Sequence, residues 1–513
     1  MRYAPPGLVL NDFAVLATDD GWHLLHLQGP PVVPFDASVH ETSFGHAHST
    51  DLLHWEPLGP TFGIARPGHF DDGAIWTMSI VDHPDGGLAM LYTGVSAHPH
   101  PATQAVGLAR STRHDGTGWH RVSTNPVCVA DPHWYRTDDY QAWRDPFVVR
   151  DPDHDQWVMF IAARETGLAP SVGGCIAAAV SSDLLHWTVL PPVVPGGTHS
   201  ELECPVVERL NNHWMMLVCI STDHSVDVYE SDTLLGPWVR RGRLAPPGVY
   251  APRVIQADGE KLVLHTVQRR VGLNDHGDLV RGMLAQPKRL RLDTDGVPVL
   301  AWWPPAAREV KPADTGLTKD AIIEVDIPAE ARSVTVTICP DSDCADVMML
   351  EVHARAGRMR IGYAGGPVLQ EESLGAPLVA DDLPDRCVGF YDPSQDWSPE
   401  AAGTGTSIPA VVGDSDAYLA GVGRVQLQQS AGQPGEPTQA APPPGIRRVP
   451  QHLRILAVGE FLEVYADDRL VLSTIAYARG TGRVQASADG MVLPVYVWQL
   501  PKARHHRDDV STL

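Results

Sequence analysis

Three carboxylates stand in apolar runs, where a folded protein has little ordinary use for them. Asp12 follows Asn11 in "LNDFAVLAT", Asp145 lies in "WRDPFVV" and Glu203 in "ELECPVV". They precede Trp22, Trp157 and Trp214, each of which opens a second apolar run, by 10, 12 and 11 residues. A buried carboxylate costs on the order of several kcal/mol unless it is paired, hydrogen-bonded or used. Taken singly, each has a bland reading: Asp145 pairs with its neighbour Arg144, and Asp12 caps a turn. Their shared register asks for more. Two carboxyl groups facing each other across a sugar ring perform glycoside hydrolysis, one as acid/base and one as nucleophile or base.

Groups so far apart in sequence need a scaffold that brings equivalent positions together. Five stretches in the first 300 residues share one pattern, a Gly or polar turn followed by an alternating aromatic and aliphatic run. They are "GWHLLHLQ" (21–28), "GGLAMLYTGV" (86–95), "QWVMFIAAR" (156–164), "HWMMLVCIS" (213–221) and "EKLVLHTVQ" (260–268), with starts 65, 70, 57 and 47 residues apart. Behind four of them comes a turn and a tryptophan that begins an outer strand: "HSTDLLHWEPL" (48–58), "ARSTRHDGTGWHRV" (109–122), "SSDLLHWTVL" (181–190) and "SDTLLGPWVRR" (231–241). Short strands repeated at this period indicate a β-propeller, whose blades bury their faces only by stacking on one another. One long β-sandwich would carry no such period. The innermost strand of each blade would be the run just upstream of each repeat: Asn11-Asp12, "FDDGAIWTMSIV" (70–81), Asp145, Glu203 and "GVYAPRVI" (248–255). Those strands would line a common funnel.

The expected fold class is therefore all-β, a five-bladed β-propeller over residues 1–303 followed by a C-terminal β-sandwich. "WWPPAAREVKPADTG" (302–316) breaks the pattern, which sets a linker at 304–320. Period-two alternation returns in "AIIEVDIP", "SVTVTIC", "RMRIGYA" and "FLEVYADDRLVLSTIAY", giving a sandwich over 321–503. A low-complexity insertion occupies about 392–450, and 504–513 is a tail.

The formal net charge of −23 excludes nucleic acid and anionic membranes as expected partners, since both attract basic surfaces. No run reaches membrane-spanning length. The 7 cysteines show no zinc-like or redox spacing and read as buried thiols in a reducing compartment. With no leader-like stretch before the first strand, a cytoplasmic location is expected. His46 and His48 share one strand face and have the chemistry to hold a metal, but their position before the Ser-Thr-Asp turn favours packing. No metal and no cofactor is expected.

Beyond the single motifs, "LNDF", "FGHAHSTDLLHWEPL", "WRDPF", "ECPVV", "VYAPRV" and "RGMLAQPKRLRL" occur in an order and spacing that resembles glycoside hydrolase family 32, the invertase, inulinase and levanase type. The strand "FLEVYADDRLVLSTIAY" resembles that family's sandwich domain. The resemblance covers nearly the whole chain apart from the insertion. It implies a retaining enzyme for small β-fructofuranosides, such as sucrose or short fructo-oligosaccharides. Asp12 would be the nucleophile, Glu203 the acid/base, and Asp145 a carboxylate that binds ring hydroxyls and steadies the oxocarbenium-like transition state. Glu203 would then need a pKa raised towards neutrality. Asn11, Gln28, Asp72, Trp76 and Arg144 are the expected substrate-binding residues, and a homodimer is possible.

Some positions keep alternatives. Trp76 serves as a sugar platform or as a core tryptophan, and Glu201 rivals Glu203 as the acid/base. The family's Asn-Asp continues with Pro-Asn-Gly, whereas here Phe13, Ala14 and Val15 follow. Its strand-end Gln is replaced by Leu27 or displaced to Gln28. These departures leave room for a different furanoside, for transfer to an acceptor other than water, or for a propeller that only binds sugar.

Overall fold

The computed structural model describes residues 2–373 and 450–500, apart from 33–34, 99–102, 223, 271, 273, 276–278, 294–295, 308–309, 313–319, 341–346, 354–357, 365–367 and 480. The insertion (392–449), the tail (504–513) and part of the linker lie outside the described residues.

The protein is nearly all-β. Residues 74–121, 143–194 and 202–245 each form an antiparallel four-stranded sheet in sequential order, the form of a propeller blade. Residues 9–63 form a fourth such run of strands, hydrogen-bonded through Val9–Thr18 to Leu279–Leu284. Tyr250–Ala257, Glu260–Arg270, Leu279–Leu284, Lys288–Leu292 and Pro298–Ala301 make a further group. The five repeated runs of the sequence are the second strands of these groups. The first strands, Val9–Thr18, Ala74–Asp82, Trp143–Asp151, Leu202–Leu210 and Tyr250–Ala257, pack side by side in that cyclic order, the last against the first. These first strands come together because their side chains are mostly apolar on both faces: Ala74–Ser79 and Leu202–Val207 are wholly buried, Thr77, Ser79 and Glu203 among them.

The near-copies "STDLLHW" and "SSDLLHW" fold alike. In one, Asp51 accepts from the N–H groups of Leu53 and His54 while Leu52 donates to Ser49 Oγ at 2.9 Å. In the other, Asp183 accepts from Leu185 and His186, and Leu184 donates to Ser181 Oγ at 2.9 Å. Trp55 and Trp187 then lead into the outer strands Glu56–Gly63 and Thr188–Val194.

Beyond Trp303, two antiparallel sheets share one apolar cluster that includes Ile323, Val325, Val336, Leu350, Val464, Leu472 and Val484. The first of these sheets joins the N-terminal part directly, because Ala301 pairs with Arg469. A second apolar cluster, with Leu290, Trp302, Trp303, Ile322 and Phe461, crosses the same boundary. Cys128, Cys175, Cys204 and Cys219 are buried free thiols.

Candidate active site

Each of the five first strands carries a β-bulge at one level. The register slips at 11–12, at Thr77, at 145–146, at 204–205 and at 251–252. A bulge adds a residue, bends the strand and re-aims its side chains. Three of the five contain a proline, Pro146, Pro205 and Pro252, which the unpaired bulge position tolerates because proline has no N–H to give a ladder. Asp145, Cys204 and Ala251 sit there at φ of 58°, 47° and 45°. These kinks turn the acids away from their own sheets and towards the common axis.

Asp12, Asp145 and Glu203 are brought together and are only 5, 4 and 4% exposed. Oxygens of Asp12 and Asp145 lie with Cys204 Sγ in one group, all within 4.8 Å of one another. The Cys204 N–H donates to Asp145 Oδ2 at 3.0 Å, and the thiol lies 3.4 Å from Asp12 Oδ2. Thr77 donates its hydroxyl to the same Asp12 oxygen. Asp12 Oδ1 is buried with no hydrogen-bond partner. Asp145 is fixed from behind, its N–H donated to Thr93 Oγ1 at 3.0 Å.

Arg144 ties the second half of the site together. Its Nη2 donates to Glu201 Oε2 at 2.5 Å and to Glu203 Oε1 at 2.7 Å, while Nε lies 4.0 Å from Asp145 Oδ2. Arg164 donates to Glu201 Oε1 at 2.6 Å, and the Tyr250 hydroxyl donates to Glu203 Oε2. Arg144 Nη1 is buried without a partner.

Four buried carboxyl groups thus face two guanidinium groups, and the excess is met by protons. Burial, against Arg144 and helped by Asp12 and Glu203, pushes Asp145 up to about 6. Burial also pushes Glu201 up to about 8, against Arg144 and Arg164. Burial acts on Glu203 in the same sense, but Arg144, the Tyr250 hydroxyl and a hydrogen bond from Glu201 outweigh it and hold Glu203 below the ordinary range. The raised acid expected at Glu203 is therefore found two residues away, at Glu201, and the two carboxyl groups are coupled through Arg144. A hydrogen bond with Cys219, then burial, holds the Cys204 thiol well above its ordinary value, so it is a neutral neighbour of the two aspartates and a poor metal ligand.

The remaining expected site residues divide. Asn11 shares the first bulge with Asp12 and is buried. Gln28 lies opposite Leu10, next to that bulge, with its amide donated to Ser43 Oγ at 3.0 Å. Trp76 packs among Val9, Leu27 and Phe35 and donates its indole N–H to Ala37 O at 3.3 Å, which is the core role. Asp72 accepts from the N–H groups of Gly68 (2.7 Å) and Ala97 (2.8 Å) and holds a loop outside the acid cluster. Its neighbour Asp71 is fully buried between Tyr92 and Arg121. Phe13, which departs from the family pattern, is wholly buried with Leu10, Leu24 and Leu264, so the change falls on the core. Thr77, Thr93, Arg164, Cys204 and Tyr250 escaped the sequence reading. The Asp-Pro, Cys-Pro and Ala-Pro pairs inside apolar runs were the available signal for the bulges.

Residues 3–244 match the Glycosyl hydrolases family 32 N-terminal domain. These residues form a glycosyl hydrolase family 32 N-terminal domain. Among characterised relatives, a levanase of Bacillus sp. (strain L7) is 26% identical over 246 residues, 43% of this chain and 23% of that protein. A raffinose invertase of Escherichia coli is 26% identical over 283 residues, 51% of this chain and 55% of that one. The chain thus spans from about a quarter to about half the length of these two relatives. The fold is similar to that of a GH32 beta-fructofuranosidase of Bombyx mori, with a TM-score of 0.66 at 15% identity over 97% of this chain and 94% of the other. A sucrose-6-phosphate hydrolase of Lactobacillus gasseri gives 0.64 at 15% identity over 96% and 91%.

Proposed function

We propose that the protein is a retaining β-fructofuranosidase for small substrates such as sucrose or short fructo-oligosaccharides. In this reading the sheets before residue 303 are five propeller blades around an axial funnel, and 321–503 is a β-sandwich joined to them by 304–320. The carrying observation is the convergence of Asp12, Asp145 and Glu203 in one buried cluster, with Asp12 Oδ1 left without a partner. The named activities of the levanase and invertase relatives support it, as does a Bombyx mori relative described in complex with sucrose.

Asp12 is the nucleophile. Thr77 occupies Oδ2, which leaves Oδ1 to attack the anomeric carbon and form a glycosyl ester. Glu203 gives a proton to the departing oxygen, then takes one from the water that displaces Asp12, so configuration is retained. Asp145 accepts from ring hydroxyls, and its negative charge favours the cationic character that develops at the ring. Arg144 fixes the Glu203 carboxylate.

A product assay against sucrose, inulin-type oligosaccharides and pentofuranosides, with the released anomer followed by NMR, tests this. Sucrose cleavage with retention is expected, and Glu203→Gln should lower it by about 10²- to 10⁴-fold. Inversion, or full activity of Glu203→Gln, would remove the assignment. Release of a pentose instead, or transfer to a second sugar, would favour the furanosidase or transferase alternative left open by the residues after Asp12.

A further inference from the structure

A second group of chemistry-bearing side chains lies on the hairpin of Gly21–Gly29 and Ser43–Ser49, outside the acid cluster. His23 and His48 are direct cross-strand partners, and His46 is two residues along on the same face. The preceding turn adds Asp20. Gly21 makes that turn possible: it sits at φ +136°, and a Cβ there would lie 2.5 Å from Ser49 O. Thr18 donates to Asp20 Oδ1 at 2.5 Å and so turns the carboxylate onto the two imidazoles. His23 Nε2 lies 3.4 Å from Asp20 Oδ1, and His48 Nε2 lies 3.8 Å from Asp20 Oδ2. One nitrogen of each ring and one oxygen all fall within 4.8 Å of one another.

We propose that Asp20, His23 and His48 hold one divalent transition-metal ion of the zinc type. Zinc binds imidazole nitrogen and carboxylate oxygen at about 2.0–2.2 Å, and ligands at the corners of a tetrahedron are then about 3.3–3.6 Å apart. The separations of 3.4 and 3.8 Å, one to each Asp20 oxygen, are close to that edge, and the ligand atoms all lie within 4.8 Å of one another. His23 is oriented from behind, its Nδ1 2.8 Å from His46 Nε2. This is the outer hydrogen bond that metal-ligating histidines characteristically make. When His23 donates through Nδ1, its Nε2 lone pair faces Asp20. His48 Nε2 now meets the Asp20 carbonyl oxygen at 3.1 Å, and metal binding moves its proton to Nδ1.

The surroundings suit a ligand site better than a structural ion pair. Asp20 is 72% exposed at its side chain, where pairing with histidine contributes little to stability, yet its carboxylate is held in place. An open cavity of about 350 Å³, lined by His23, His46, Asp115 and Thr117, adjoins the group. Three protein ligands leave a fourth position for water.

The test uses the full chain without a polyhistidine tag. Co²⁺ is titrated while visible absorption is followed, Zn²⁺ is used to displace it, and melting temperature is read with and without Zn²⁺. One saturable ion per chain with an intense tetrahedral cobalt band is expected, and Zn²⁺ should raise the melting temperature. Asp20→Asn and His48→Gln should each weaken binding at least tenfold and abolish the melting shift without altering sugar cleavage. His46→Gln, which removes only the orienting bond, should weaken binding by about 10- to 100-fold. Absence of saturable uptake by the unaltered chain overturns the proposal. Uptake that Asp20→Asn and His48→Gln leave unchanged also overturns it, because the ion then sits elsewhere.

Discussion

Two of the places where the protein buries charge are built differently. In the acid cluster four carboxyl groups outnumber two guanidinium groups. At the boundary with the C-terminal sheets, Glu463 and Lys288 form an ion pair with neither side chain exposed. There the Glu463 carboxylate also receives Gln286 and, at 2.5 Å, the Tyr465 hydroxyl, while His265 lies 3.6 Å away and Lys288 donates to Gln286 O at 2.9 Å. The Glu463 carboxylate is held below its ordinary range because Lys288 and His265 outweigh the burial that would raise it. One region matches charge with charge and ties the strands Lys288–Leu292 and Phe461–Ala466 of one sheet together. The other leaves an excess that only a ligand or protons can meet. Burial alone therefore does not separate a structural charge from a working one; the balance of partners does.

The comparison breaks most visibly at Asp12. Asp12→Asn should lower sucrose turnover by about 10⁴-fold or more while melting temperature stays level or rises, since the change relieves an unmatched carboxylate. A large loss of stability would show that Asp12 is structural, like Glu463. Next, Lys288→Met should cost about 3–5 kcal/mol in denaturant unfolding by stranding Glu463, and Lys288→Met with Glu463→Leu should recover much of it. Activity per folded molecule should hardly change.

A smaller effect concerns pH. Asp145 and Glu201 have folded pKa values raised to about 6 and about 8, so their contribution to stability is complete below about pH 4 and is lost as pH rises through those values. Unfolding free energy should therefore fall between pH 5 and 8, and Glu201→Gln should flatten the upper part of that slope. An unchanged slope would mean that the proton is not on Glu201. The smallest effect is at Trp76: Trp76→Phe should cost about 1 kcal/mol with the Ala37 hydrogen bond and leave sugar affinity within about twofold. A large rise in KM would return it to the sugar site.

Much of this was legible because β-structure writes itself locally. Alternation placed the second strands, and the recurring Ser-Asp-Leu-Leu turns placed the outer ones. Similar offsets of 10, 12 and 11 residues before Trp22, Trp157 and Trp214 singled out Asp12, Asp145 and Glu203. Other features were not legible. Arg164 ends a strand that reads as apolar, and Thr77 and Tyr250 are ordinary strand residues until a bulge turns them inwards. His23 carried no signal, since its partners Asp20 and His48 are joined to it only by a turn and a strand pairing.

Sequence by itself determined which residues lie on the first strands, the family that residues 3–244 match and the three acids that belong together. Tertiary structure alone decided that Arg144 couples Glu201 to Glu203, that Asp12 keeps one oxygen without a partner, and that Asp20 meets two histidines. The physical reason is range. Strand propensity is set by neighbours along the chain, whereas proton affinity and coordination depend on charges a few ångströms apart in space, and Arg144 and Glu203 reach that distance from 59 residues apart.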